Sequence, residues 1–372
     1  MMNNYCRGEK MKSKLLFLLA LVLISLTLLT ACASDDGSAP VEQQQSQQEE
    51  LSEEELEKEI EEIEDEYEAE ISEEDRLNQT NYSSNSPFTG LPIKEDNYQI
   101  AMAVSIENSP AARPQSGLDR AEIIYEFMLE GGITRFLAIF WPDIPEKVGP
   151  IRSARPALIE TASAYEALFL HAGASPDGFA LLSNNNILHL DQIYQSQYYW
   201  RSSKRSAPHN LYSGRPSLED YVNTLSGKEY PNQFKFLTAS VISDFTEAQY
   251  ITIDYWGSYD VLYRYNSLEN NYLRFLNDYE NPHTVENGEQ LKAKNIIVQY
   301  VQTSTKDEQG RQKINLNTGG KIELFRDGIV IEGSWKKKNK QFVYLNNSGQ
   351  EIEINPGQTW IQIVPNGTEL SY

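Results

Sequence analysis

The sequence predicts an α+β protein: a mixed α/β, sandwich-like N-terminal domain containing a β-hairpin, followed by a smaller, mostly β domain folded as a barrel or meander. Three observations carry this expectation. From Pro87 the composition changes from acidic and low in complexity to mixed apolar and polar, leaving about 290 residues, enough for two ordinary domains. Up to about residue 235, strand-length apolar runs alternate with helix-length segments. Beyond Phe236 the apolar runs are short, β-branched or aromatic, and bounded by Gly, Asn and Asp.

The chain divides in order into residues 1–31, 32–86, 87–235 and 236–372. In the first segment, Lys10, Lys12 and Lys14 precede an apolar run of about 16 residues that begins at Leu15, the pattern of an export signal. A membrane span needs roughly 20 apolar residues, so the run is short for one. It closes on Leu29-Thr30-Ala31-Cys32, which resembles the lipobox of bacterial lipoproteins. That resemblance implies cleavage before Cys32, lipidation of its thiol, and a chain held by lipid on the outer face of the cell membrane. Cys6 would leave with the signal, so the mature chain would keep no thiol for a disulfide or a thiolate metal site.

The second segment is a tether. Residues 35–80 carry about 20 Asp and Glu against Lys58 and Arg76, so most of the net charge of −22 lies here and the rest of the chain is only mildly acidic. Nucleic acid is excluded as a partner by that charge and by the compartment. The Gln43–Gln48 tract is low in complexity and reads as disordered. Leu56, Ile60, Ile63, Tyr67 and Ile71 recur at helical spacing, which fits a solvated, partly helical spacer, a short coiled coil or a partner-binding helix.

In the third segment, Ile100 to Ile106 reads as a buried strand. Ala121 to Leu129 and Ile133 to Trp141 are joined by Glu130-Gly131-Gly132, a hairpin signal because Gly supplies the positive φ a tight turn needs. Arg155 to Glu166 reads as a helix, Ala167 to Ala172 as a strand and Pro176 to Leu182 as a second helix. In the fourth segment, Val261 to Tyr265 and Tyr272 to Leu276 are hairpin arms. Further strands are expected at Ile296 to Val301, Ile322 to Phe325, Ile329 to Ile331, Phe342 to Leu345 and Trp360 to Val364, with Lys336 to Lys338 and Lys340 at a solvated turn.

Three segments carry a family resemblance: Ala112-Arg113-Pro114-Gln115-Ser116-Gly117-Leu118, Glu130-Gly131-Gly132-Ile133-Thr134-Arg135-Phe136, and Val148-Gly149-Pro150-Ile151-Arg152-Ser153-Ala154-Arg155. They resemble the YerB-like lipoprotein family, a domain of unknown function followed by a smaller C-terminal domain of its own. The likeness runs from about Phe88 to Val364. It implies an extracytoplasmic lipoprotein and brings no catalytic residue with it.

Chemistry must therefore be read from side chains. Arg113, Arg135, Arg152 and Arg155 lie near Gly and Pro, and a guanidinium fork matches carboxylate and phosphate. With Asp119, Glu126 and Glu130 they make a candidate ligand-binding pocket, and the segment from Gly149 to Arg155 adds backbone N–H groups at a helix start. The same residue types also brace loops as ion pairs. Glu130 and His209 are the candidate catalytic bases, His209 because it sits in the loop Ser206-Ala207-Pro208-His209. No metal motif joins the four His residues, and phosphate-loop and dinucleotide fingerprints are absent, so no cofactor is expected. The leading functional expectation is binding or scaffolding of a cell-wall polymer, an envelope protein or a wall-building enzyme. The alternative is a hydrolase or transferase acting on wall polymer through the Arg-rich pocket.

Overall fold

This computed structural model describes residues 82–94, 100–185, 187–238, 245–255, 260–308 and 310–372, among which β-structure dominates and three α-helices occur. The expected export signal, Cys32 and the expected tether with its Leu56-to-Ile71 stripe lie outside the described residues. The chain begins with β1 (Tyr82–Asn85) and β2 (Pro92–Lys94), then enters β3 (Met102–Glu107), all six of whose residues are buried. The hairpin follows as β4 (Ile123–Glu130) and β5 (Ile133–Phe140), with Gly131 and Gly132 at φ of 61° and 73°. Next come α1 (Pro156–Ala164), β6 (Leu168–His171), α2 (Pro176–Asn184) and β7 (His189–Asp191). Pro156 and Pro176 start both helices where a missing N–H costs nothing, and Ser175 caps α2 by accepting from the Gly178 N–H at 3.3 Å.

β8 (Trp200–Arg201) and β9 (Leu211–Tyr212) pair with each other, and α3 (Arg215–Val222) follows. The remaining strands are β10 (Lys235–Phe236), β11 (Thr246–Glu247), β12 (Tyr250–Asp254), β13 (Asp260–Asn266), β14 (Asn271–Leu276), β15 (Asp278–Pro282) and β16 (Lys292–Ala293). After them come β17 (Asn295–Thr305), β18 (Gln312–Asn315), β19 (Gly320–Arg326), β20 (Ile329–Lys338), β21 (Gln341–Asn346), β22 (Glu353–Ile354), β23 (Thr359–Pro365) and β24 (Leu370–Ser371).

The largest sheet has the order β11-β20-β19-β17-β23-β4-β5-β3-β6-β7, with β18 and β21 paired to β17 and β20. A second sheet holds β12 to β16 and β24. β12 to β15 are thus an antiparallel meander, but β17, β19, β20 and β23 do not close a barrel of their own. They extend the sheet that holds the hairpin. The join is the parallel pairing of β23 with β4, from Ile123 against Thr359 to Phe127 against Ile363. β4 reads as a near-continuous apolar run because it is buried on both faces, and such a strand needs a ladder partner along each side.

Side-chain alternation gives the sheet two cores. Ile124 and Met128 of β4 pack with Tyr263, Tyr272 and Trp360 on the meander side. Ile123, Tyr125, Phe127 and Leu129 pack with Leu158, Ile159 and Ala162 of α1 on the other.

Candidate functional site

β3 runs parallel to β6, and β6 to β7; β4 runs parallel to β23, and β23 to β17; β5 is antiparallel to both β3 and β4. The carboxyl ends of β3, β4, β6 and β7 therefore share one edge of the sheet with the start of β5. In sheets of this kind ligands are held just beyond the carboxyl ends of the strands. Glu107 ends β3, Glu130 ends β4, Arg135 lies near the start of β5, and Arg152 and Arg155 come from the segment leading into α1.

Glu130 gathers two of these guanidiniums. Its carboxylate accepts from Arg135 Nη2 at 2.8 Å and from Arg155 Nη2 at 2.8 and 2.9 Å, while Arg135 Nη1 donates to the Ser153 carbonyl at 2.7 Å. Burial by itself would raise the Glu130 pKa, but the hydrogen bond from Arg155 and the charges of both arginines outweigh it and hold the group below its ordinary value. Burial pulls Arg135 down to about 10, and the like charge of Arg155 adds to that. A register shift between Met128 and Glu130 turns the end of β4. Such a bulge re-aims one side chain relative to the strand's alternation. Here it parts two carboxylates four residues apart. Glu130 meets the arginines on the α1 side, whereas Glu126 follows Ile124 and Met128 toward the meander.

A second carboxylate organises the neighbouring cluster. Glu107 Oε1 accepts from Ser109 Oγ at 2.8 Å, lies 2.9 Å from His209 Nδ1, and is 3.3 Å from Arg152 Nε. Glu107 Oε2 is buried without a hydrogen-bond partner among the described residues. The Glu107 side chain is 5% exposed, that of His209 27% and that of Arg152 29%, so the carboxylate lies beneath and the imidazole and guanidinium lie outside. The clusters touch: Ser105 Oγ and Arg135 Nη1 both donate to the Ser153 carbonyl, next in sequence to Arg152. Arg135, Arg152 and Arg155 set three guanidiniums against two carboxylates. Glu107 and Ser109 were not among the residues the sequence singled out, although a carboxylate directly after a buried strand is the available signal.

The other expected site residues lie elsewhere. Arg113 donates to the side chain and carbonyl of Asn108 at 3.0 and 2.8 Å. Glu126 is fully buried; it accepts from Thr134 Oγ1 and Arg274 Nη2, each at 2.7 Å, and from Asn108 Nδ2 at 3.2 Å. It is an internal ion pair, held on the opposite face of β4 from Glu130. Asp119 is exposed and lines a separate cleft of about 740 Å³ with Glu122, Trp141, Asp143 and Glu286.

His283 bridges Arg274 Nε and Gln115 Oε1, each at 3.0 Å. Burial, with Arg274 and Arg113 nearby, keeps it far below its usual pKa and so neutral. His171 and His189 are hydrogen-bonded to each other at 3.0 Å. Among the described residues no group of three or more His, Cys, Asp or Glu side chains is placed to hold a metal ion, and no helix is long and apolar enough to cross a membrane.

Comparison with known proteins adds the family. Residues 88–228 match the model described as the protein of unknown function (DUF3048) N-terminal domain, and residues 251–361 match the DUF3048 C-terminal domain. A Bacillus subtilis (strain 168) protein named "Putative lipoprotein YerB" is 33% identical over 294 residues, covering 75% of this chain and 86% of that one. The crystal structure of YerB protein from Bacillus subtilis superposes with a TM-score of 0.70 at 31% identity, covering 77% of this chain and 99% of the other.

Proposed function

The chain belongs to the two-part DUF3048 family, and from that membership together with the edge cluster we propose that it is a lipid-anchored, extracytoplasmic binding protein for an anionic cell-wall polymer. The lipoprotein name of the Bacillus relative, 33% identical, supports the membrane address. The Leu29-Thr30-Ala31-Cys32 motif supports Cys32 as the anchored residue on the outer face. Two or more acyl chains, at about 0.8 kcal/mol per buried methylene, would hold the protein on the membrane. Cys32→Ser should abolish incorporation of labelled palmitate and move the protein from the membrane fraction to the soluble one; retention of label would sink this assignment.

The observation that carries the binding reading is Arg152. Its Nε lies 3.3 Å from Glu107, and among the described residues its two terminal nitrogens have no hydrogen-bond partner, which leaves them for a ligand; Arg135 and Arg155 beside it exceed the local negative charge. A guanidinium fork and an excess positive charge together suit a phosphate or carboxylate borne on a polymer. The partly exposed setting makes the interaction sensitive to salt. Arg152→Ala should weaken binding of teichoic acid or peptidoglycan fragments to the lipoprotein at least tenfold, with the melting temperature shifted by no more than a few degrees. Unchanged affinity for both polymers would remove the basis of the reading.

A further inference from the structure

We infer that Glu107 and His209 form a carboxylate–imidazole dyad whose His209 Nε2 is a general base, activating water against an ester bond of an anionic substrate held by Arg152. This rests on the anion-binding reading of Arg152 and goes beyond it, from holding to cleaving.

The dyad is defined by which ring nitrogen is engaged. His209 Nδ1 lies 2.9 Å from Glu107 Oε1, and Nε2 has no hydrogen-bond partner among the described residues. A carboxylate on Nδ1 fixes the Nδ1–H tautomer and the ring's orientation, and it leaves a lone pair on Nε2. The carboxylate is nearly inaccessible to water while the imidazole is about a quarter exposed, so the free nitrogen belongs to the solvent side of the pair. Glu107 keeps Oε2 unpartnered, and an anion so poorly solvated stabilises an imidazolium formed beside it.

Ser109 is not the nucleophile in this arrangement. Its hydroxyl donates to Glu107 Oε1 at 2.8 Å and lies 3.3 Å from Nδ1, on the carboxylate side of the ring. Water is therefore the attacking group. Arg152 is anchored on the same carboxylate oxygen as His209, which places a guanidinium and a base on one centre. The His209 loop is pinned to hold that geometry: Asn210 Nδ2 donates to the carbonyls of Ser202 and Arg205, and Arg205 Nη2 donates to the Pro114 carbonyl at 2.6 Å.

In the reaction, water gives a proton to Nε2 as its oxygen bonds to the ester carbon or phosphorus. The bond to the alcohol oxygen then breaks, and that oxygen takes the proton back from Nε2. The products are an acid and an alcohol, and the dyad returns to its starting state. No oxidant or further co-reactant is needed.

The test uses the full-length lipoprotein in detergent with two chromogenic anionic esters, bis(4-nitrophenyl) phosphate and mono(4-nitrophenyl) succinate, which separate phosphorus from carbon as the centre attacked. Wild type should release 4-nitrophenolate from one of them. His209→Gln and His209→Asn should lose at least 100-fold in kcat, Glu107→Gln should lower kcat more than it raises KM, and Arg152→Ala should mainly raise KM. Nitrogen-15 spectra of His209 should show a protonated Nδ1 and an unprotonated Nε2 in the neutral ring. Release from neither ester above the buffer rate, equal release by wild type and His209→Gln, or a protonated Nε2 in the neutral ring would each overturn the dyad. Polymer binding that depends on Arg152 would survive any of these results, so failure of the dyad and failure of the binding reading are distinguishable.

Discussion

At the scale of the residue, burial decides which charges serve the site and which serve the fold. Glu126 and Arg274 are both fully buried, and the guanidinium also donates to His283 and to the Tyr263 hydroxyl while lying 4.5 Å from the Trp360 ring centre. Removing one partner strands the other charge, so Arg274→Ala should cost about 3–5 kcal/mol in urea denaturation. Arg155→Ala, at a partly exposed pair, should cost under about 1 kcal/mol. Glu122 follows a different rule. Burial, opposed by the Ser86 hydrogen bond and assisted by Asp143, pushes its carboxyl from 4.5 up to about 8. The folded chain then holds a proton that the unfolded chain releases between those values, so stability falls as pH rises through that window. Glu122→Gln should flatten the loss, read as a higher melting temperature relative to wild type at pH 8 than at pH 4.5.

At the scale of the element, the hairpin turn and the β6–β7 edge carry the clearest consequences. Gly131 and Gly132 both take positive φ, and a Cβ added to either would meet nothing within 4 Å. The penalty for a side chain there is one of backbone conformation alone. Gly132→Val should therefore cost about 1–2 kcal/mol and Gly132→Asn much less, as measured by chemical denaturation. On β6, burial holds His171 down to about 4, against the Gly173 carbonyl and Asp191, which favour the charged form. The unfolded chain then takes up a proton near pH 6.5 that the folded chain refuses until about 4, so stability is lost as pH falls through that window. His171→Asn should remove part of the drop in melting temperature between pH 7 and pH 5; an identical drop would show that other groups dominate.

At the scale of the molecule, the regions matched by the two family models share one sheet through β4 and β23, and the second region also supplies Arg274 to Glu126 in the first. A fragment ending at residue 235 would leave one side of β4 without its ladder and Glu126 without its cation. Calorimetry should show one cooperative transition for the intact globular region and none for that fragment. A folded, cooperatively melting fragment would contradict this coupling.

Local pattern made the elements legible. The glycine pair between two apolar runs marked the β4–β5 hairpin, and Pro156 and Pro176 lie where α1 and α2 begin, because turn and helix-start geometry depend on neighbouring residues. Arg135, Arg152 and Arg155 were visible as residue types, and His209 as a loop imidazole. Glu130, the partner of Arg135 and Arg155, was visible too, but the carboxylate shared by Arg152 and His209 was not: Glu107 lies 102 positions from His209 in sequence, and only the pairing of β3 with β5 and β6 brings it to the edge. The split between Glu126 and Glu130 depends on a bulge that their spacing does not encode.

The sequence by itself determined the lipobox-like motif, the acidic low-complexity stretch, the strand and helix segments and the family likeness, since each is written in contiguous residues. Tertiary structure alone decided that the second half extends the first half's sheet and that Arg152 and His209 meet on one buried carboxylate, Glu107, because ladder partners and desolvation are set by residues far apart in the chain.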